Sequence, residues 1–273
     1  MKGRFGGFEY VRHGGMDMRE ILEAVESGDM SVSEAESELS GYATSEQGRF
    51  DAARERRRGV PEAILGDGKT PEEVRALAAT AVETAGRALL TRVSDDQVAA
   101  VRAELADAHP DAAVRHRERA NVLVAHAADF EPPSVDAAVG VVSAGTSDAV
   151  PAGEAVVVAE EMGADVTEVH DVGVASLVRI LDQVERLRDL DVLVVAAGRE
   201  GALPTIVAGL VDTPVIGLPV SNGYGHAGEG ESALSGMLQS CTVLSTVNVD
   251  AGFVAGAQAG LIARAIDGAA SSE

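Results

Sequence analysis

From residue 137 onward the chain repeats one unit: a short apolar run, a loop of small and polar residues, then a helical stretch. Apolar runs at 137–142, 166–170, 192–197, 215–218 and 243–249 alternate with helical patterns at 150–162, 174–187, 203–211, 231–240 and 252–266. Short runs that are apolar on both faces fit strands covered by helices above and below. The repeated order predicts an α/β fold: a doubly wound, three-layer parallel sheet with right-handed crossovers. In such a sheet ligands bind beyond the carboxyl ends of the strands. Three loops fall there, at 143–151, 198–204 and 219–230, and the chemistry is expected among them.

The first half is less regular. Residues 1–17 form a Gly-rich stretch expected to be a poorly ordered tail, with Met16 and Met18 as alternative starts. From Met18 the spacing of Ile21, Leu22 and Val25 predicts a helix that Gly28 stops. Ser31 followed by Glu34 has the capping-box pattern of a second helix. Thr70-Pro71-Glu72-Glu73 opens another, running to about residue 84, and the runs at 88–93 and 121–126 read as strands. A small mixed α/β domain over 18–130 is therefore expected to precede a larger one over 134–273. The paired prolines of Glu131-Pro132-Pro133-Ser134 mark the linker.

Composition sets limits on function. With 44 acidic against 22 basic residues, the formal charge is −22, a field that repels phosphate backbones and argues against nucleic-acid binding. No apolar run reaches the roughly 18 residues of a membrane span, and the N-terminus lacks a signal-peptide pattern, so a cytoplasmic protein without membrane partners is expected. Lys2 and Lys69 are the only lysines; an acidic, lysine-poor surface fits a halophilic host. Cys241 is the only cysteine, which rules out an internal disulfide or a cysteine-cluster metal site. No other grouping has metal-ligand spacing.

The loop Ser143-Ala144-Gly145-Thr146-Ser147-Asp148 can offer N–H groups and hydroxyls to an anion at a helix start. It fits equally an ordinary turn capped by Ser147 or Asp148. Glu200, in the run Gly198-Arg199-Glu200-Gly201 at the end of the third strand, is a candidate catalytic carboxylate or a plain exposed acid. His170-Asp171 ends the second strand, and Asn222, Tyr224, His226 and Glu229 lie in a Gly-rich loop long enough to act as a lid. Arg54–Arg58 more readily pairs with the abundant acids than with a polyanion. By pattern alone Cys241 is a small hydrophobe at a helix end.

Taken together, AGTSD, AGREGALP, PVIGLPVSNGYG, GMLQSC and VNVDAGF resemble the PurE carboxylases and mutases of purine synthesis. RRGVPEAILGDGKTPEEV and LLTRVS in the first half make the closer resemblance the LarB family of nickel-pincer cofactor synthases. That resemblance implies carboxylation of the pyridinium ring of nicotinic acid adenine dinucleotide with CO2. Cleavage of the phosphoanhydride follows, giving pyridinium-3,5-biscarboxylic acid mononucleotide and AMP. It also implies a homo-oligomer, an octamer by likeness to the carboxylase fold. The chain departs from the family pattern at Arg199, Asn222, His226, residues 228–231 and Ala251. The Ser-Ala-His-Arg segment of the purine enzymes is replaced by His170-Asp171-Val172-Gly173-Val174-Ala175, which makes a purine-pathway carboxylase or mutase the alternative. A non-catalytic nucleotide-binding partner is the third.

On the resemblance, Cys241, Asp148 and Glu200 are the expected chemical groups. Gly145, Thr146, Ser147, Asp171, Gly198, Gly201, Asn222 and Tyr224 are expected to hold substrate and phosphate. No tightly bound cofactor is expected, and Mg2+ assistance to phosphoanhydride cleavage would be ordinary chemistry. A pyridinium and CO2 are both electrophiles, so a thiolate that adds to the ring makes a neighbouring carbon nucleophilic. A carboxylate must then take the ring proton; Asp148 is favoured over Glu200.

Overall fold

Strand β9 (Val192–Ala197) is buried along its whole length, because both faces of its sheet are covered. Around it stand β7 (Ala138–Ser143), β8 (Asp165–Val169), β10 (Val215–Pro219) and β11 (Ser245–Thr246), all parallel. The computed structural model describes residues 18–270 apart from 31, 33, 34, 36–42, 46, 47 and 224. The spatial order is β8-β7-β9-β10-β11. Counted along this domain it is 2-1-3-4-5, the flavodoxin-like order, whose switch point lies between β7 and β9.

Helices α5 (Ala149–Glu161) and α10 (Gly252–Ala270) cover one face of this sheet. Their Ala152, Val156, Ala255 and Ala259 pack on Val139, Val194 and Leu218. At Gly256 of α10 an added Cβ would stand 2.4 Å from Ala155 O, so small residues let the two helices close up. The other face carries α6 (Leu177–Leu181), α7 (Val184–Arg188), α8 (Ala202–Ala208) and α9 (Glu231–Leu238). Ile180, Leu187, Leu203 and Met237 pack there on Val142, Leu193 and Val195. Each such side chain contributes about 1.5–3 kcal/mol on burial. The doubly wound three-layer architecture is the one expected from the alternating pattern.

Two details differ. The expected helix over 174–187 is a 3-10 turn at Val174–Ser176 followed by α6 and α7. Gln183 N bonds to Ile180 O instead of continuing the helical ladder, which tightens and ends the first piece. The last strand is only Ser245–Thr246, because β10 offers a partner ladder for those residues alone.

The first domain is built on a mixed sheet, β3-β4-β6-β5: β3 (Ile64–Leu65), β4 (Arg87–Thr91), β5 (Ala113–Arg117) and β6 (Val122–His126). α3 (Pro71–Ala85), opened by the Thr70–Glu73 capping box, and α4 (Asp95–Ala108) cover one face. α4, capped by Ser94 and Gln97, and β5 are elements that the apolar pattern does not announce. β5 alternates half-exposed polar residues and so lacks a strong apolar run. α1 (Met18–Ser27) ends at Gly28, as expected. A hairpin joins β1 (Ala43–Ser45) to β2 (Gly48–Phe50), and a short α2 (Arg54–Arg58) follows. The tail over 1–17 and the start of the helix expected from Ser31 lie outside the described residues.

The other face of the small sheet packs against the larger domain. Val60, Leu89, Val122 and Val124 meet Val157, Val158, Met162 and Ala257 in one apolar cluster. Beside it Arg87, with a side chain 4% exposed, donates to Glu161 O at 2.7 Å and pairs with Glu55 and Glu161. His126 Nε2 lies 2.8 Å from the same Glu161 carboxylate. Arg264 of α10 reaches back to Gly59 O at 2.7 Å.

Candidate functional site

At the switch point the chain must leave β7 and β9 on opposite sides of the sheet, and the parting loops open a cavity of about 460 Å³. The loop after β7 contributes Gly145, Ser147 and Asp148; the loop after β9 contributes Gly198, Arg199 and Glu200; Asn222 comes from the loop after β10. Gly173, Val174 and Ala175, after β8, close the remaining side. The sequence marks this last segment only as the replacement for the purine enzymes' motif. Its position after a strand, at the sheet's carboxyl edge, is the signal that places it at the site.

Asp148 is 2% exposed. Its Oδ2 accepts from Gly145 N at 2.7 Å and its Oδ1 from Asn222 Nδ2 at 2.5 Å. Burial pushes the Asp148 carboxyl above the ordinary aspartate range, although hydrogen bonds from Asn222 and from the backbone at 145, 144 and 198 oppose it. Asn222 Nδ2 also donates to Ser147 Oγ at 2.8 Å. Residue 198 has to be glycine for this arrangement: a Cβ there would lie 1.8 Å from Asn222 Oδ1. Glu200 lines the same cavity and is exposed. A buried carboxylate, an exposed one and the Ser147 residue therefore line one space. That set can take a proton from a bound ring.

Thr146 and Asp171 face elsewhere. They line a neighbouring cavity of about 430 Å³, on the far side of the 145–148 loop, with His116, Arg117, Arg119 and His170. Asp171 is paired with Arg179 at 2.8 Å. His170 Nδ1 lies 3.0 Å from Ser143 Oγ, and its Nε2 lies 3.1 Å from Glu168. Burial alone would raise Glu168, but Arg117 and His170 hold its carboxyl below the usual glutamate range. Gly201 caps α8 from the position before it and is not part of the cavity lining; Tyr224 lies outside the described residues.

Cys241 is exposed and does not line the cavity. α9 runs from the carboxyl edge of the sheet back toward its amino edge, and Cys241 follows it. Its neighbour Thr242 touches Thr205 O and lies beside Gly209, at the end of α8. Ser245, just beyond, pairs with Ile216 at the start of β10. The thiol thus stands at the opposite edge of its own sheet from Asp148 and Glu200. Among the described residues, no group of three or more His, Cys, Asp or Glu side chains is placed to hold a metal ion. No described helix is long and apolar enough to cross a membrane.

A family model of the LarB/PurE-like N-terminal domain matches residues 42–127, and one of AIR carboxylase matches residues 138–273. An uncharacterised protein of Methanocaldococcus jannaschii is 35% identical over 261 residues, covering 92% of this chain and 98% of that protein. The chain belongs to the LarB family, with a PurE-like C-terminal domain, and its domains are those of a carboxylase-type enzyme.

Proposed function

We propose that the chain carboxylates the pyridinium ring of nicotinic acid adenine dinucleotide and hydrolyses its phosphoanhydride, in the cytoplasm. The observation that carries this reading is Asp148: a buried carboxylate with a raised pKa, oriented by Asn222, on the wall of the switch-point cavity. Such a group is a stronger base than an ordinary aspartate and can take a ring proton.

In this reading the Cys241 thiolate adds to the ring carbon opposite the nitrogen, giving a dihydropyridine. The enamine carbon beside the adduct attacks CO2 and forms the new carbon–carbon bond. Asp148 takes the hydrogen of that carbon as a proton, and departure of the thiolate restores the aromatic cation. The Ser147 hydroxyl, on the wall of the same cavity, donates to the new carboxylate. Water then adds to phosphorus while the bridging oxygen leaves with AMP, and Glu200 receives the water's proton. Mg2+ enters as a companion of the substrate's phosphates.

The thiol must come from another copy of the chain. Leu238 and Val243, on either side of Cys241, are 68% and 95% exposed, an apolar surface suited to burial by a second protomer. The family's octamer is the assembly that fits this requirement.

Purified protein incubated with the dinucleotide and labelled bicarbonate is expected to release AMP and a ring-carboxylated mononucleotide, both read by mass spectrometry. Absence of both products overturns the reading. The match to AIR carboxylase favours a second one, and turnover of aminoimidazole ribonucleotide in the same assay would establish it.

A further inference from the structure

The proposed reaction uses no residue of the first domain, yet that domain's edge strand reaches the back of the loop that carries Asp148. Strand β5 has arginines at alternate positions, so Arg115 and Arg117 share one face. Arg115 donates to Glu160 at 2.9 Å and Arg117 pairs with Glu168; both carboxylates belong to the larger domain. Glu168 lies on β8, the edge strand of the larger sheet. The register of β8 on β7, with Val169 beside Val142, sets His170 beside Ser143. Glu168, two residues before His170, points to the same face.

A chain of polar contacts follows from that register. Glu168 Oε2 accepts from Arg117 Nη2 and stands 3.1 Å from His170 Nε2. Burial alone would raise the Glu168 carboxyl, but Arg117 and His170 hold it below the usual glutamate range. Ionised, it accepts the Nε2 proton of His170, which leaves Nδ1 of the neutral ring to accept from the Ser143 hydroxyl at 3.0 Å. Ser143 is buried and is the last residue of β7. The turn begins directly after it. Ala144 N donates to Ala196 O at 3.1 Å, Gly145 N to Asp148 Oδ2 at 2.7 Å, and Asp148 N to Gly145 O at 3.2 Å. From the same side Arg119 Nη2 reaches Thr146 O at 3.5 Å. Ala120, in the 3-10 turn Glu118–Ala120, packs on Gly153 of α5, where an added Cβ would stand 2.7 Å from Ala120 Cβ. The first domain thus meets the start of the turn, its middle and the helix that follows it.

We propose that the first domain is a positioning domain: Arg117, acting through Glu168 and His170 on Ser143, holds the turn that presents Asp148 to the cavity. Arg117 and His170 are 33% and 55% exposed, and contacts at that exposure add little to overall stability. Their effect is local. Ala144-Gly145-Thr146-Ser147 is a run of small residues with many conformations open to it, and the chain of contacts restricts them to the one that keeps Asp148 beside Asn222. Arg117, Glu168 and His170 are positioning residues that touch no reacting atom. That Asp148 acts as a base rests on the proposed reaction; the hold on its turn does not.

The test combines hydrogen-exchange mass spectrometry of the full chain with steady-state carboxylation kinetics. Arg117→Met and His170→Phe should each speed amide exchange in the peptide spanning 144–148 about tenfold, the worth of one hydrogen bond to a charged group. Each should lower kcat about tenfold and leave KM for the dinucleotide unchanged. The double variant should be no worse than the more damaged single one, because a chain of contacts broken once is already broken. Arg117→Lys, which keeps a cation beside Glu168, should restore most of the loss. Arg115→Met cuts the neighbouring contact to Glu160 and should change neither readout. Thermal melts identify any variant that fails to fold, and His170→Phe, at an exposed position, cuts the chain a second way. If loop exchange in the folded variants matches wild type, the assignment is overturned. It is also overturned if Arg115→Met loosens the turn equally, or if the double variant shows the product of the two single losses. If exchange responds as expected while no carboxylated product forms from the dinucleotide, the positioning domain stands and the proposed reaction falls. Product formed at the wild-type kcat by folded Arg117→Met overturns the positioning role and leaves the reaction standing.

Discussion

Asn222 Nδ2 stands 2.5 Å from Asp148 Oδ1, so a residue after β10 fixes the orientation of a carboxylate after β7, across the switch point of the sheet. The same amide holds Ser147 at 2.8 Å, and both residues line the reactive cavity.

Asp148 makes carboxylation and stability depend on pH in opposite senses. Burial raises its folded pKa above the ordinary 3.8, so the folded chain binds this proton more tightly than the unfolded one. Stability from that proton is lost as pH rises through the folded pKa, whereas the base becomes active over the same window. Urea titrations should show wild type losing stability relative to Asp148→Asn as pH climbs, while carboxylation by wild type rises. Asp148→Asn should form no carboxylated product. A stability difference that is flat with pH would falsify the assignment of a buried, shifted carboxyl.

Gly198→Ala places a methyl group 1.8 Å from Asn222 Oδ1, so Asn222 must move and Asp148 loses its orienting donor. Misplacement on this scale is expected to lower carboxylation about 100-fold, with the chain still folded. Near-normal turnover in a variant that melts like wild type would show that the Asn222–Asp148 bond does not position the base.

Cys241 lies on the far edge of its own sheet, so the proposed adduct forms between chains. Cys241→Ala and Asp148→Asn should each be inactive alone. Unfolded together and refolded as mixed oligomers, they should regain ring carboxylation, because one copy supplies the thiol and another the base. A mixture as inactive as its parents contradicts a composite site.

Arg87 is buried between Glu55, Glu161 and the domain interface. Arg87→Met takes the buried cation from Glu55 and Glu161, which keep Arg264, Arg115 and His126 beside them, and leaves Glu161 O without its donor; it should cost about 1–3 kcal/mol in denaturant unfolding. A loss below about 1 kcal/mol, the worth of an exposed pair, would mean that the domains do not depend on this contact.

A formal charge of −22 on 273 residues predicts salt-dependent stability. Screening shortens from about 10 Å at 0.1 M salt to about 3 Å at 1 M. The melting temperature should therefore climb between those concentrations of KCl. An equally stable chain at low salt would remove the halophilic interpretation.

The larger domain is legible in the order of its residues. Runs such as 192–197, apolar on both faces and spaced by helical stretches, have few stable arrangements other than a parallel sheet between two helix layers. The same pattern puts Gly145, Ser147, Asp148, Gly198, Glu200 and Asn222 in carboxyl-edge loops, and the structure gathers all six around one cavity. That much is local: the strand period, the loop position and the topology rule suffice.

Other features depend on how the chain packs. β5 and α4 escape a reading of the sequence, because half-exposed alternation and a well-capped but weakly apolar helix leave little signal in a single chain. Thr146 and Asp171 sit in the right loops yet line a different cavity, since two residues of a tight turn can face opposite ways. Glu154 reads as one more acid on a helix, and only its burial beside Arg92 sets it apart. Cys241 is the sharpest case. Its motif identifies it, but helix α9 carries it to the opposite edge of the sheet, and an α-helix antiparallel to its strands must do so. Sequence patterns record which residues share an element. Which residues share a cavity depends on how the elements cross, and that is set by packing between segments far apart in the chain.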